Sequence, residues 1–375
     1  MVRSGRRTVR RTAMLGAAAL AVLVVSAAQA ATPTPGATWQ KVAPASVGLD
    51  PAKLAQIAAS ARRGKSNCLV VVRDGKLAGE WYFRGTGPNT THDVFSVTKS
   101  VASTLVGIAQ DDGDLHIGDS ASGWIPQWEG TESAAVSVRD LLSMDSGREW
   151  SPLTDYVRLL AARDRTAFAI GLEQDAVPGT VWAYNNSAVQ TLDRVLAQAT
   201  GEDVADFAER RLLAPLGMTR TSFGTDRAGN AQLFEGIEST CRDMARFGVL
   251  MLNQGRWGGK QLVSPTWVRQ ATGRSSTKLN AAYGYLWWLN HEGVIPSVTA
   301  ATSLQSAAGE EKGRLVPGAP GSMYWALGLG NQLVQIDPAS RTVVVRLGTA
   351  SPIPLPPTFG PEEASKVVTV ALRRR

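Results

Sequence analysis

The sequence predicts an α/β (α+β) fold, in which an antiparallel sheet is flanked by terminal helices and a mostly helical domain is inserted into it. Three observations carry that expectation. Strand-like apolar runs fall in two groups far apart in the chain, at residues 68–83 and 283–347. Between them, from Ser96 to about Gln270, apolar residues recur at helical spacing. Helix signals bracket the whole, near Asp50 and after Pro361. One sheet built from both chain ends, interrupted by the helical block, satisfies all three.

Residues 31–38 form a Pro/Thr/Gly leader. Asp50-Pro51 then opens a helix, with an N-cap carboxylate, a proline in the first turn, and Leu54, Ile57, Ala58 and Ala61 on one side. Residues 68–73 read as a buried strand, Asp74-Gly75 as a hairpin turn and residues 77–83 as the return strand. Helices are expected from about Ser96 and over 189–199, 203–213 and 241–252. Strand signals return at 283–288, 323–327, 333–336 and 342–347, with Pro338 in the turn between the last two. Residues 291–321, rich in Ala, Gly and Ser, read as a long surface loop and candidate lid. A Pro-rich run at 352–357 leads to a closing helix over 361–372. The sheet domain is therefore expected over 39–95 and 280–375, and the helical domain over 96–279. The terminal helices should cover one sheet face and the block the other.

Residues 1–30 read as an export signal. Arg3, Arg6, Arg7, Arg10 and Arg11 precede an apolar stretch from Ala13 to Ala27 and the small-x-small site Ala28-Gln29-Ala30. Cleavage between Ala30 and Ala31 predicts a periplasmic or secreted protein without stable membrane association. The chain has 39 Lys and Arg against 32 Asp and Glu, and removing the five signal arginines leaves 34 against 32. That balance argues against a nucleic-acid or membrane-surface partner. Cys68 and Cys241, the two cysteines, leave two arrangements open: one disulfide or two separately buried thiols. His92, His116 and His291 show no metal-ligand spacing, so neither a metal nor a cofactor is expected.

The chemistry is expected at Ser96-Val97-Thr98-Lys99. Residues three apart on a helix share a face, so the hydroxyl and the ammonium point into the same space. That suits a serine nucleophile activated by a lysine base. The spacing alone is cheap, because Ser275 and Lys278 repeat it. Context separates the two: an apolar helical run over 101–109 follows Ser96, whereas polar residues surround Ser275. A second cluster, Tyr184-Asn185-Asn186, starts 88 residues after Ser96. A lysine with an ordinary pKa of about 10.4 is a poor base at neutral pH. Burial and the positive end of a helix dipole would both disfavour its charged form. A neighbouring tyrosine can relay the proton to a leaving group, and an Asn amide can orient the lysine.

Ser96-x-x-Lys99 followed by Tyr184-x-Asn186 resembles the penicillin-recognising serine hydrolases. These include class C β-lactamases, serine D-alanyl-D-alanine peptidases, family VIII carboxylesterases and 6-aminohexanoate-dimer hydrolases. Supporting phrases follow in order: Asp112-Gly113-Asp114-Leu115, Asp140-Leu141-Leu142-Ser143-Met144-Asp145-Ser146-Gly147, Pro178-Gly179, Pro215-Leu216-Gly217-Met218, Asp243-Met244-Ala245-Arg246-Phe247-Gly248 and Gly255-Arg256-Trp257-Gly258-Gly259-Lys260. The resemblance implies the β-lactamase/transpeptidase-like fold and an acyl-enzyme. In it Ser96 is the nucleophile, Lys99 and Tyr184 share general base and acid roles, and Asn186 orients Lys99.

The sequence departs from that family at its third motif, Lys/His-Thr/Ser-Gly. The matching stretch here is Trp325-Ala326-Leu327-Gly328-Leu329-Gly330-Asn331-Gln332, with no cation to meet a substrate carboxylate. An ester or small amide is therefore expected as substrate ahead of a β-lactam. The backbone amides of Ser96 and Leu329 are the candidate oxyanion hole. Tyr156, Gly330 and Asn331 are candidates to line the substrate cleft, with Arg274 and Lys278 as alternative carboxylate contacts. Two rival readings are a β-lactamase or D-alanyl-D-alanine carboxypeptidase, and a non-catalytic module that binds cell-wall peptide or a partner protein.

Overall fold

The structure, a computed structural model, describes residues 1–2, 33–296, 311–349 and 358–373. Residues 3–30 of the expected export signal with its cleavage site, the Pro-rich run and residues 297–310 of the expected lid lie outside them. From Thr32 onward the chain forms one compact unit.

Helix α1 (Pro51–Arg63) starts where Asp50 Oδ1 accepts from the amides of Ala52 and Lys53, at 3.0 and 3.2 Å. Strands β1 (Ser66–Arg73) and β2 (Lys76–Tyr82) form a hairpin whose two turn residues both have positive φ, 50° at Asp74 and 72° at Gly75. Such a turn matches the right-handed twist of the strands it joins. The remaining strands of the main sheet come from the other end of the chain: β3 (Trp288–Leu289), β4 (Tyr324–Gly328), β5 (Gln332–Asp337) and β6 (Thr342–Gly348). The order is β2-β1-β6-β5-β4-β3, antiparallel throughout, with Val70 opposite Val345 and Val71 opposite Val344.

Side chains alternate across a strand, so β1 serves two cores. Leu69 and Val71 join Leu333 and Val344 under α1 and the C-terminal helix α5 (Pro361–Thr369). The three longest helices between them, labelled in chain order, are α2 (Val97–Asp112), α3 (Asn186–Thr200) and α4 (Cys241–Leu252). Cys68, Val70 and Val72 face the other way, into the large core shared with α2, α3 and α4. Burying each such aliphatic side chain contributes roughly 1.5–3 kcal/mol. Helix α4 approaches the sheet closely at Gly248, where a Cβ would lie 2.5 Å from a methyl of Val343.

The cysteine alternatives resolve to a disulfide between Cys68 and Cys241, with Cα atoms 6.4 Å apart. Cys68 sits on the block-facing side of β1, and α4 begins directly over it.

Three elements differ from expectation. Residues 283–288 do not form a strand. Leu286 has φ 58°, its amide donates to Leu142 O and that of Tyr285 donates to Ala271 O, so only Trp288 and Leu289 pair with β4. Tyr283 and Trp287 are nonetheless fully in the core, held by packing rather than by the ladder. Residues 203–213 are helical only to Ala208, then widen into a π-helical turn, Glu209–Leu213. The 291–321 region contains a short antiparallel ribbon, Gly293–Ile295 against Glu311–Gly313.

Candidate active site

Ser96 occupies the N-cap of α2, whose residues from Val97 to Ala109 are all buried. The preceding residue, Phe95, has φ 48°, an uncommon backbone region for a bulky side chain and one that clusters at functional sites. One turn into the helix, Lys99 is 1% exposed. Its Nζ donates to Ser96 Oγ at 2.8 Å and to the carbonyl of Phe234 at 2.8 Å. Burial brings the Lys99 pKa down to about 7, against the opposing pull of the Glu235 and Asp155 carboxylates. A lysine poised there is partly neutral at physiological pH and able to accept a proton.

The Phe234 carbonyl is held in place by its surroundings. The Ile237 amide donates to Thr98 Oγ1 at 3.1 Å, and the Val94 amide donates to Ile237 O at 3.0 Å. From α3, Gln190 accepts from the Leu233 amide at 3.1 Å and donates to Ala231 O at 2.8 Å.

Tyr184 enters from the loop before α3. Its ring stacks on Trp288 at 5.7 Å and packs against Tyr283 and Trp182, and Lys99 Nζ lies 4.9 Å from its centroid. Burial pushes the phenol well above its ordinary value, only partly offset by a hydrogen bond to Ser96. Tyr184 therefore stays protonated rather than resting as a phenolate.

Asn186 is buried at the first position of α3, but the expected contact with Lys99 is not formed. Lys99 is committed to Ser96 and Phe234, and Asn186 Oδ1 takes no hydrogen bond from any described residue. The Asn186 backbone instead donates to Asp155 Oδ2 at 2.5 Å. Asp155 also accepts from the Ser187 amide at 3.1 Å and the Ser187 hydroxyl at 2.6 Å, which ties a π-helical turn, Thr154–Arg158, onto the start of α3. Burial pushes the Asp155 carboxyl up despite those bonds and the nearby Lys99. On the same turn Tyr156 is 49% exposed. Burial of its hydroxyl and the Asp155 charge raise its pKa, and a hydrogen bond with Asn186 opposes them. Tyr156 thus borders Asn186 and Tyr184, rather than packing inside the block.

Strand β4 closes the other side. A Cβ on Gly328 would lie 2.3 Å from Val94 O and 3.1 Å from the Ser96 amide nitrogen, so only glycine lets this strand end meet the serine turn. Leu329 follows at the start of the β4–β5 turn and is 51% exposed. Gly330 and Asn331, both with positive φ, complete that turn. Their carbonyls accept from the buried guanidinium of Arg346, which also donates to Ser66 Oγ and Gly64 O. The side-chain amide of Asn331 lies beside Gly360 at the start of α5. Arg274 and Lys278 are both exposed. Arg274 lines a separate cavity of about 420 Å3 with Gln110, His116 and Arg139.

Sequence reasoning missed the Phe234 carbonyl, Asp155 and Arg346. Each reaches the site through a contact spanning 15 residues or more, and no local pattern marks them. Among the described residues, no three His, Cys, Asp or Glu side chains group to hold a metal. Nor is any described helix long and apolar enough to cross a membrane.

This architecture has close counterparts. The Beta-lactamase family profile matches residues 27–357. The 6-aminohexanoate-dimer hydrolase of Paenarthrobacter ureafaciens is 24% identical over 314 residues, covering 76% of this chain and 72% of that protein. A solved Bacillus anthracis protein, proposed to be a 6-aminohexanoate-dimer hydrolase, superposes with a TM-score of 0.67 at 20% identity, over 86% of this chain and 85% of that one. A class C β-lactamase solved with cefoxitin superposes with a TM-score of 0.57 at 18% identity, over 84% of this chain and 98% of that one. The chain belongs to the beta-lactamase family of serine hydrolases.

Proposed function

We propose that the protein is an exported hydrolase of carboxylic esters or small amides that works through an acyl-Ser96 intermediate without a cofactor. The observation that carries this reading is the 2.8 Å contact between Ser96 Oγ and a buried Lys99 whose pKa is brought down to about 7. Neutral Lys99 takes the Ser96 proton as Oγ attacks the substrate carbonyl. The developing oxyanion is received by the backbone amides of Ser96 and Leu329. Tyr184, protonated and bonded to Ser96, passes a proton to the leaving alcohol or amine and is reprotonated from Lys99. Water then attacks the acyl-enzyme, and the same groups run in reverse. Asn186 Oδ1, unpartnered among the described residues, is an acceptor for a substrate N–H, and Tyr156 borders the entrance.

The β4–β5 turn supports an uncharged substrate. The cation at this turn, Arg346, directs its donors to Gly330, Asn331, Ser66 and Gly64, and it is 2% exposed. With four of its five N–H donors bonded to protein and its side chain buried, it is not presented to a substrate carboxylate. The relative that hydrolyses the 6-aminohexanoate dimer makes short linear amides a natural second panel after esters. Export is supported by the signal pattern in residues 1–30 and by the disulfide, a bond that persists in oxidising compartments.

The test is turnover of a short-chain p-nitrophenyl ester and of nitrocefin by the mature protein, beside Ser96→Ala. Ester hydrolysis that disappears in the variant, with little nitrocefin turnover, is expected. Ester hydrolysis that persists in Ser96→Ala would mean the nucleophile is elsewhere. Equal nitrocefin turnover would overturn the preference for uncharged substrates.

A further inference from the structure

Arg165, far from the motifs in sequence, is the hub of a network that ends on Lys99. Its backbone amide donates to Asp226 at 2.7 Å, and its guanidinium donates to Leu160 O at 3.0 Å, to Gln232 and to Glu235 Oε1 at 3.1 Å. Both contacts on the 232–235 turn flank Phe234, the residue whose carbonyl holds Lys99 Nζ. The Phe234 ring also collects both cations, with Arg165 at 5.8 Å and Lys99 at 5.7 Å from its centroid. The pair is only partly screened by water: the side chains of Arg165 and Glu235 are 16% and 28% exposed.

We propose that the Arg165–Glu235 pair positions and tunes Lys99, Arg165 by clamping the Phe234 carbonyl and Glu235 by setting how readily Lys99 gives up its charge. Neither residue touches the reacting atoms, so both are positioning residues, and the inference rests on Lys99 being the base.

The groups that face Lys99 are few. Ser96 lies on its own helix, Tyr184 comes from the loop before α3, Asp155 from the π-helical turn and Glu235 from the 232–235 turn. Tyr184 stays neutral, so the two carboxylates are the charges that favour the ammonium form. Asp155 has hydrogen bonds from Ser187 and Asn186 to satisfy it. Glu235 is instead balanced by Arg165, with Asp93 opposing. The signs then follow. Removing the Glu235 charge takes away one of the two carboxylates that favour the ammonium form, and so favours neutral lysine. Removing Arg165 frees Glu235 to hold Lys99 in its ammonium form.

The experiment is the pH profile of Ser96 labelling by a fluorophosphonate, which reports nucleophile activation without needing the natural substrate. Wild type should show an acid limb near pH 7, falling tenfold per unit below it. In Glu235→Gln, a near-isosteric change, that limb should move to lower pH by about one unit. In Arg165→Gln it should move to higher pH, with a lower plateau as the Phe234 carbonyl loosens. Arg165→Lys, which keeps the charge, should return the limb toward wild type. Limbs that superimpose in all variants, or that move the same way in Glu235→Gln and Arg165→Gln, overturn the inference. A wild-type protein that is not labelled at Ser96, or is labelled without an acid limb, instead overturns the reading of Ser96 and Lys99.

Discussion

Ser96 and Ser275 each precede a lysine by three residues, and the fold treats the two pairs differently. Ser96 caps a helix buried through Ala109, and Lys99 reaches its hydroxyl at 2.8 Å. Ser275 lies in a loop, its hydroxyl donates to Ala281 O at 2.6 Å, and Lys278 is exposed. An exposed ammonium keeps its hydration. A buried one loses solvation, which brings the Lys99 pKa down to about 7. The difference teaches that spacing only permits the contact, whereas burial turns it into chemistry.

The sharpest way to break that comparison is to remove each ammonium while keeping its length. Lys99→Met should lower kcat/KM by about 10²–10⁴-fold, the usual contribution of a positioned general base. Lys278→Met should leave kcat/KM within about twofold, since exposed substitutions away from a site are mostly neutral. Comparable losses in both would show that the buried pair has no special role.

The legible part of the molecule was the part written in local patterns. Asp50-Pro51, Asp74-Gly75 and the apolar faces of β1, β5 and β6 announced a sheet drawn from both chain ends, because caps, turns and alternation act over a few residues. Ser96, Lys99 and Tyr184 were legible for the same reason, with burial of the following helix written as an apolar run. Residues 283–288 misled because aromatic alternation records burial, and their burial comes from packing beneath α2 and α4 with a positive φ at Leu286. Asn186 misled because its position beside Tyr184 suggested a contact that the start of α3 and Asp155 claim instead. Arg165, Asp155 and Arg346 left no sequence trace: Asp155 and Arg346 bond backbone groups of other segments, and Arg165 bonds the side chains of Gln232 and Glu235 some seventy residues away.

A second test asks whether the scaffold that buries Lys99 depends on the cross-link beside it. Cys241 begins α4, immediately after the segment that carries Phe234, and its disulfide closes a separation of 173 residues to Cys68. Replacing both cysteines by serine should lower unfolding stability by about 2–5 kcal/mol, read as a fall in denaturant midpoint. Activity well below the unfolding transition should fall less than in Lys99→Met. A midpoint equal to wild type would show that core packing alone sets the geometry around Lys99.

The smallest expected effect separates close packing at the site from close packing elsewhere. Gly328 and Gly248 both sit where a Cβ meets a neighbour, but the neighbours differ in kind. At Gly328 the obstacle is Val94 O at 2.3 Å, with the Ser96 amide at 3.1 Å, so backbone on the nucleophile's own turn has to move. At Gly248 the obstacles are methyl groups of Val343 and Val334, at 2.5 and 3.1 Å, which belong to the core. Overpacking of either kind costs about 1–3 kcal/mol of stability, so both alanine variants should melt earlier. Only Gly328→Ala should also lower kcat with KM little changed, because the candidate oxyanion amides of Ser96 and Leu329 would lose their alignment. Equal kcat in the two variants, measured well below both transitions, would mean that this strand end shapes the fold without receiving the oxyanion.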